Sequence, residues 1–167
     1  MRSILKELPI DHSEFTFIDY GSGKGRVLLL AAEYPFKRII GVELSKKLHE
    51  IAQNNIKIWK CSNPKCTDIK LCHGDATQFK LPDDPLVIFF FAPFRGIVKD
   101  LVVSNIRESF NANPRPIHIV YYGIRTDFIE ISSDMNINHQ EIYSRHPLPA
   151  SGDYKGHLFS FSTESPT

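Results

Sequence analysis

Asp19 is followed by Gly21, Gly23 and Gly25, and two further acids, Glu43 and Asp75, stand just beyond later apolar runs. Alternating glycines leave no side chain over a turn and permit positive φ, so a flat ligand can lie against bare main chain. A lone carboxylate can accept from two hydroxyls at once, as a ribose diol would offer them. The chemistry these residue types suit is a nucleotide-type pocket. No nucleophile, base and orienting acid stand together as a catalytic triad would require.

Spacing separates the ligand classes. A phosphate-binding P-loop needs Gly-x-x-x-x-Gly-Lys followed by Ser or Thr, and the chain has no such run. The dinucleotide fingerprint Gly-x-Gly-x-x-Gly needs its third glycine at position 26, which is Arg26. An NAD-dependent oxidoreductase on the same type of sheet is therefore the weaker alternative.

The run Ile18-Asp19-Tyr20-Gly21-Ser22-Gly23-Lys24-Gly25-Arg26, taken with Gly41-Val42-Glu43-Leu44-Ser45, resembles the class I S-adenosylmethionine (SAM)-dependent methyltransferases. Within them it is most similar to small seven-strand protein lysine methyltransferases and uncharacterised bacterial members. The resemblance covers roughly residues 15–123 and implies SAM as cofactor. It places the methionine part on Asp19, Gly21, Ser22, Gly23 and Gly25, and the ribose hydroxyls on Glu43, beside Leu44. Asp75 would accept from the adenine amino group while the Ala76 N–H meets a ring nitrogen.

At the tip of the fourth strand, members that methylate amino groups carry Asn or Asp before Pro-Pro-aromatic, or Asn-Pro-Phe. Here the run is Ala92-Pro93-Phe94, which keeps Pro-Phe and drops the polar acceptor. Backbone carbonyls at Phe91 or Ala92 could substitute, and Tyr122 is a candidate substrate contact. The activity implied is methyl transfer to nitrogen on a protein or small molecule. A SAM-binding module without catalysis is the alternative that Ala92 raises.

These residues must be positioned by strands and helices in alternation. Apolar runs predict strands over Phe15–Ile18, Arg38–Val42, Asp68–Cys72, Leu86–Phe91 and Pro116–Gly123, each site residue falling at or just past a strand end. Leu86–Phe91 is unbroken, as in a central strand buried on both faces. A helix opens at Val27. Ser45 is the N-cap of another over Lys46–Lys60, where Leu48, Ile51, Ala52, Asn55 and Trp59 recur at helical spacing. A further helix spans Arg95–Asn111. Beyond Ile124 the pattern gives a short helix at Asp127–Ile131 and antiparallel strands at Gln140–Ser144 and Leu158–Ser162, joined by a loop at Pro147–Gly156. Glu164–Thr167 reads as a tail.

The fold class expected is a three-layer α-β-α sandwich on a mostly parallel, Rossmann-like sheet ending in an antiparallel hairpin. One domain would fill residues 1–167, with a short N-terminal cap over 1–14 and a core over 15–163. Class I members usually carry more helix before strand 1, where it covers the cofactor and shapes the substrate entrance.

Composition narrows the class further. Hydrophobic residues at 42% and charged residues at 23% are ordinary for a soluble globular chain. A net charge of +1 creates no long-range field toward nucleic acid or anionic membrane, and Lys46, Lys47, Lys57 and Lys60 read as a solvated helix face. The longest apolar run, Leu86 to Pro93, is far too short to span a bilayer and no signal-peptide pattern opens the chain, so a cytoplasmic location is expected. Cys61, Cys66 and Cys72 have none of the usual zinc spacings, and His73 reads as a strand-end residue, so no metal is expected.

Overall fold

The computed structural model describes residues 1–61, 63–91, 94, 96–123, 137–142 and 155–161. Strands are β1 (Thr16–Tyr20), β2 (Arg38–Glu43), β3 (Ile69–His73), β4 (Leu86–Phe90), β5 (Ile117–Gly123), β6 (Ile137–Ile142) and β7 (Lys155–Phe161). Helices are α1 (Arg2–Glu7), α2 (Arg26–Ala31), α3 (Lys46–Ile58) and α4 (Gly96–Ala112), with short 3-10 turns at His12–Glu14 and Ala76–Gln78. The sheet runs β3-β2-β1-β4-β5-β7-β6. Its first five strands are parallel, and β7 inserts antiparallel between β5 and β6. The chain moves outward from β1 to β3 and then crosses back to β4, which opens a crevice at the carboxyl ends of β1 and β4.

Alternation along each strand sorts side chains onto two faces. On one face Ile18, Tyr20, Ile40, Val42, Ile88 and Phe90 meet Val102, Val103 and Ile106 of α4. On the other, Phe17, Ile39, Val87, Phe89 and Val120 meet Leu28 of α2 and Ile4, Leu5 and Leu8 of the N-terminal segment. β1 and β4 are buried at every residue, as fits strands covered on both sides.

Several boundaries differ from the sequence reading. β1 continues through Asp19 to Tyr20, because its pairing with Gly41–Val42 and Phe89–Phe90 outweighs the low strand propensity of an acid. α3 stops at Ile58 because Trp59 turns extended (φ −62°, ψ 122°) and packs, half-buried, against the core instead of closing another helical turn. β6 starts three residues before the run Gln140–Ser144 and ends two before it. Its register is set by β7, which aligns Ile137 with Phe161, and Ile137 packs on the α4-side core. The expected helix at Asp127–Ile131, the body of the Pro147–Gly156 loop and the tail at Glu164–Thr167 lie outside the described residues.

The N-terminal segment also departs from expectation. Arg2 makes a two-pronged ion pair with Glu33 at 2.6 Å, and the Tyr34 hydroxyl donates to the Arg2 carbonyl at 2.7 Å. These partners follow the end of α2, so α1 packs at the amino ends of the strands, away from the crevice. It is part of the core; it does not cover a cofactor.

Arg115 closes the fold beneath α4. Its guanidinium donates to the carbonyls of Pro82, Asp84, Ser109 and Asn113 and to Ser109 Oγ, all at 2.8–3.0 Å, while only 5% of the residue is exposed. Arginine's fixed fork of donors suits such an array, which ties the Ser109 carbonyl in the last turn of α4 and the Asn113 carbonyl just beyond it to the segment before β4.

Candidate functional site

The glycine turn is built from three left-handed residues, with φ of 74° at Gly21, 54° at Gly23 and 79° at Gly25. Its amides are stitched to β2. Gly21 N and Ser22 N both donate to the Val42 carbonyl, at 2.9 and 3.1 Å, and Gly23 N donates to Glu43 Oε2 at 2.8 Å. A Cβ built at Gly23 would meet nothing nearer than 3.9 Å, so the space above the turn is open.

Three residues outside the motif hold this turn in place. A Cβ at Gly41 would lie 2.6 Å from Leu28 Cδ1 and 2.9 Å from Ser22 Oγ, so the turn can seat on β2 only because position 41 lacks a side chain. A glycine inside a strand is the sequence signal of such an approach. On α3, Ala52 packs on Gly25, and Asn55 Nδ2 donates to the Lys24 carbonyl at 2.9 Å. The apolar stripe of α3 that the sequence shows is what delivers both residues.

α2 is six residues long, so its dipole contributes little. The electrostatics rest instead on two carboxylates on one sheet face. Asp19 is 3% exposed, no described residue donates a hydrogen bond to it, and burial first, then the charge of Glu43, holds its carboxyl well above the ordinary range. Glu43 is 9% exposed and accepts from Gly23 N and, through Oε1, from Ser45 N at 2.8 Å. A carboxylate offers about four acceptor positions, so Glu43 retains about two.

Other expected positions are less concentrated. Leu44 follows Glu43 with 68% of its surface exposed. Ser22 is buried, and its Oγ has no hydrogen-bond partner among the described residues. Asp75 spends Oδ1 on the N–H and hydroxyl of Thr77, both at 2.8 Å, and these bonds lower its carboxyl from the usual value. It thus caps the turn at Ala76–Gln78, presenting the buried Ala76 beside it. Phe94 packs at ring distance from Tyr20 (6.3 Å) and Phe90 (6.1 Å), on the α4 face. Ala92 and Pro93 lie outside the described residues. Tyr122 sits on the opposite face, stacked on Phe91, whose ring the sequence reading passed over in favour of its carbonyl.

A cavity of about 470 Å³ lies between the segment after β3 and α4, lined by residues such as Phe79, Lys80, Asn105 and Glu108. It contains none of the residues of the glycine turn and none of the acids at 19, 43 and 75.

The donor and acceptor set can be tested against the implied cofactor. Asp19, which accepts no hydrogen bond from any described residue, suits a cationic ammonium that would stabilise its ionised form. The remaining acceptor positions of Glu43 suit a ribose diol, and the bare turn leaves room for the chain between them. The residues present fit SAM.

A parallel sheet with this crossover and an acid-and-glycine turn at the switch point defines a Rossmann-like nucleoside-cofactor protein. The family described as "Methyltransferase domain" matches residues 17–110, more than half of the chain, and the chain belongs to it. No curated protein matches. Among solved structures, precorrin 8W decarboxylase of Methanobacterium thermoautotrophicum aligns with TM-score 0.62 at 17% identity, covering 97% of this chain and 89% of that one. A SAM-dependent methyltransferase of Leishmania major gives 0.65 at 14%, covering 95% and 68%. A putative RNA methyltransferase of Pyrococcus horikoshii gives 0.57 at 16%, covering 88% and 73%. At these identities the likeness shows the fold, which is the class I methyltransferase fold. The protein is a SAM-dependent methyltransferase, and the fold leaves the acceptor open. Among the described residues no helix is long and apolar enough to cross a membrane.

Proposed function

We propose that the chain binds SAM through Asp19, the turn at Gly21, Ser22, Gly23 and Gly25, Glu43 with Leu44, and Asp75 with Ala76, and transfers its methyl group to nitrogen on a protein or small molecule. The observation that carries this reading is the pair of buried acids flanking a positive-φ glycine turn that β2 holds open. Asp19 takes the ammonium, Glu43 the ribose hydroxyls, and the free oxygen of Asp75 the adenine amino group. Leu44 offers an exposed apolar surface to the adenine ring.

When bound, the cofactor supplies an electrophilic methyl group, and displacement there needs no covalent enzyme intermediate. The protein's part is alignment, which is worth on the order of 7–11 kcal/mol of barrier. With alanine at position 92, the acceptor nitrogen is oriented by main-chain carbonyls at the tip of β4, at Phe91 or Ala92. Pro93 and Phe94 belong to the same substrate-facing run of the sequence.

Titration calorimetry with S-adenosylhomocysteine, followed by labelled methyl transfer to a panel of amines and proteins, tests the reading. Wild type is expected to bind and to methylate nitrogen. Glu43→Ala is expected to bind about tenfold or more weakly, because charge-assisted hydrogen bonds contribute roughly 1.5–3 kcal/mol each. No binding by the wild type overturns the cofactor assignment. Transfer confined to oxygen or carbon acceptors overturns the nitrogen assignment.

A further inference from the structure

We propose that the cavity between residues 77–83 and α4 is a second small-molecule site, one that takes a zwitterion with an apolar body, of the size of a free amino acid. It lies apart from the glycine turn, and it does not rest on the methyltransferase reading above.

The cavity follows from the way β3 is joined to β4. The one helical element in that connection is the three-residue turn Ala76–Gln78, so residues 79–85 pass beside α4 as irregular chain. Side chains alone, with no helix between, leave the gap unfilled. Its volume of about 470 Å³ falls within the range of roughly 300–1,000 Å³ that small-molecule pockets occupy. The lining includes apolar surface: Leu81 is 7% exposed, and Phe79 packs against the core with its ring 5.9 Å from that of Tyr20. On α4, the lining positions 105, 108 and 112 recur at three- and four-residue steps, which sets them on one side of the helix.

The charges select the ligand. Lys80 and Asp83 line the cavity from the segment before β4 and Glu108 lines it from α4, all three exposed. Among the described residues no ion pair joins the lysine to either acid. Asp83 accepts from Asn113 Nδ2 through Oδ1 at 3.3 Å, and Glu108 accepts from Ser104 through Oε1 at 3.1 Å, so each keeps an oxygen with no described donor. Opposite charges thus border one opening without neutralising each other. A simple cation leaves Lys80 unanswered and a simple anion meets two carboxylates. A molecule with both an ammonium and a carboxylate answers both signs, and its side group covers Phe79 and Leu81.

L-Phenylalanine, phenethylamine and hydrocinnamate share one ring and differ in charge: both signs, positive only and negative only. Each is titrated into the protein with and without S-adenosylhomocysteine, and followed in amide correlation spectra. Wild type is expected to prefer L-phenylalanine to either analogue by about twofold to fivefold, the ratio that an exposed charge pair gives, with shifts concentrated on residues 77–81 and 105–112. Lys80→Met should erase the preference over phenethylamine, and Asp83→Asn combined with Glu108→Gln the preference over hydrocinnamate. Equal affinities in wild type, preferences that survive these variants, or no saturable shifts would overturn the site. So would displacement of L-phenylalanine by S-adenosylhomocysteine with no effect of Lys80→Met, which places the amino acid at the glycine turn. Because every titration is also run without the nucleoside, a failure of S-adenosylhomocysteine to bind counts against the methyltransferase reading alone.

Discussion

Asp19 is the residue whose chemistry the structure alters most. Burial and the neighbouring Glu43 raise its folded carboxyl well above the ordinary value, so the folded state binds this proton more tightly than the unfolded chain does. Stability from this group is full below the ordinary carboxylate range. It is lost as pH rises from there through the raised folded value. Asp19→Asn removes the cost of the ionised form, and its ligand-free melting temperature should exceed that of wild type at neutral pH, by about 2–4 °C for each kcal/mol. A cationic ligand group prefers the ionised acid, so S-adenosylhomocysteine affinity should rise with pH and then level off, and Asp19→Asn should flatten that profile and weaken binding. A melt and a calorimetric pH series check both halves; a lower melting temperature in the variant would contradict the first. Gly41 makes a steric counterpart. Gly41→Ala drives a methyl group against Leu28 and Ser22, which should cost about 1–3 kcal/mol in a denaturant titration and push the turn away from Glu43.

Among the elements, the connection between β3 and β4 depends most on a single side chain. Arg115 joins the carbonyls of Pro82 and Asp84 to the end of α4, and desolvation lowers its guanidinium from the usual value without neutralising it. Lysine keeps the charge but has three donors in place of five, so Arg115→Lys leaves buried carbonyls unmet and should cost about 1–3 kcal/mol by chemical denaturation. Because these contacts lie at the amino ends of the strands, nucleoside affinity in the folded variant should be unchanged. A loss of affinity matching the loss of stability would show that this connection reaches the site. Neither the bracing role of Arg115 nor the site-building role of Asn55 was legible, since each acts on carbonyls that only the folded sheet brings near. The turn, Glu43 and the N-cap Ser45 were legible because their meaning lies in a short local spacing. Gly41 was half legible: a lone glycine in a strand announces a close approach but does not say to what.

At the scale of the whole molecule, the order of alternating strands and helices was readable from apolar periodicity, and so was the central burial of β4. What periodicity could not give was placement across the sheet. It did not show that α1 packs at the amino ends of the strands, or that Phe89 stands in register with Asp19, because both depend on contacts between distant parts of the chain. The same register puts Asp19 and Glu43 on one face, bridged by the glycine turn, so ligand binding there should tie β1, β2 and α3 together. A ligand that binds only the folded state adds RT ln(1 + [L]/Kd), about 2.7 kcal/mol at a hundredfold excess over Kd. For a chain of this length that corresponds to a rise in melting temperature of about 5–11 °C. S-adenosylhomocysteine should produce this rise in wild type, with hydrogen-exchange protection concentrated on the amides of Gly21 to Arg26. At the same nucleoside concentration Glu43→Ala, binding about tenfold or more weakly, should keep at most about half of this stabilisation, about 1.4 kcal/mol, with correspondingly weaker protection. A rise of equal size in Glu43→Ala, or protection centred on the cavity between Phe79 and α4, would move the nucleoside site away from the glycine turn.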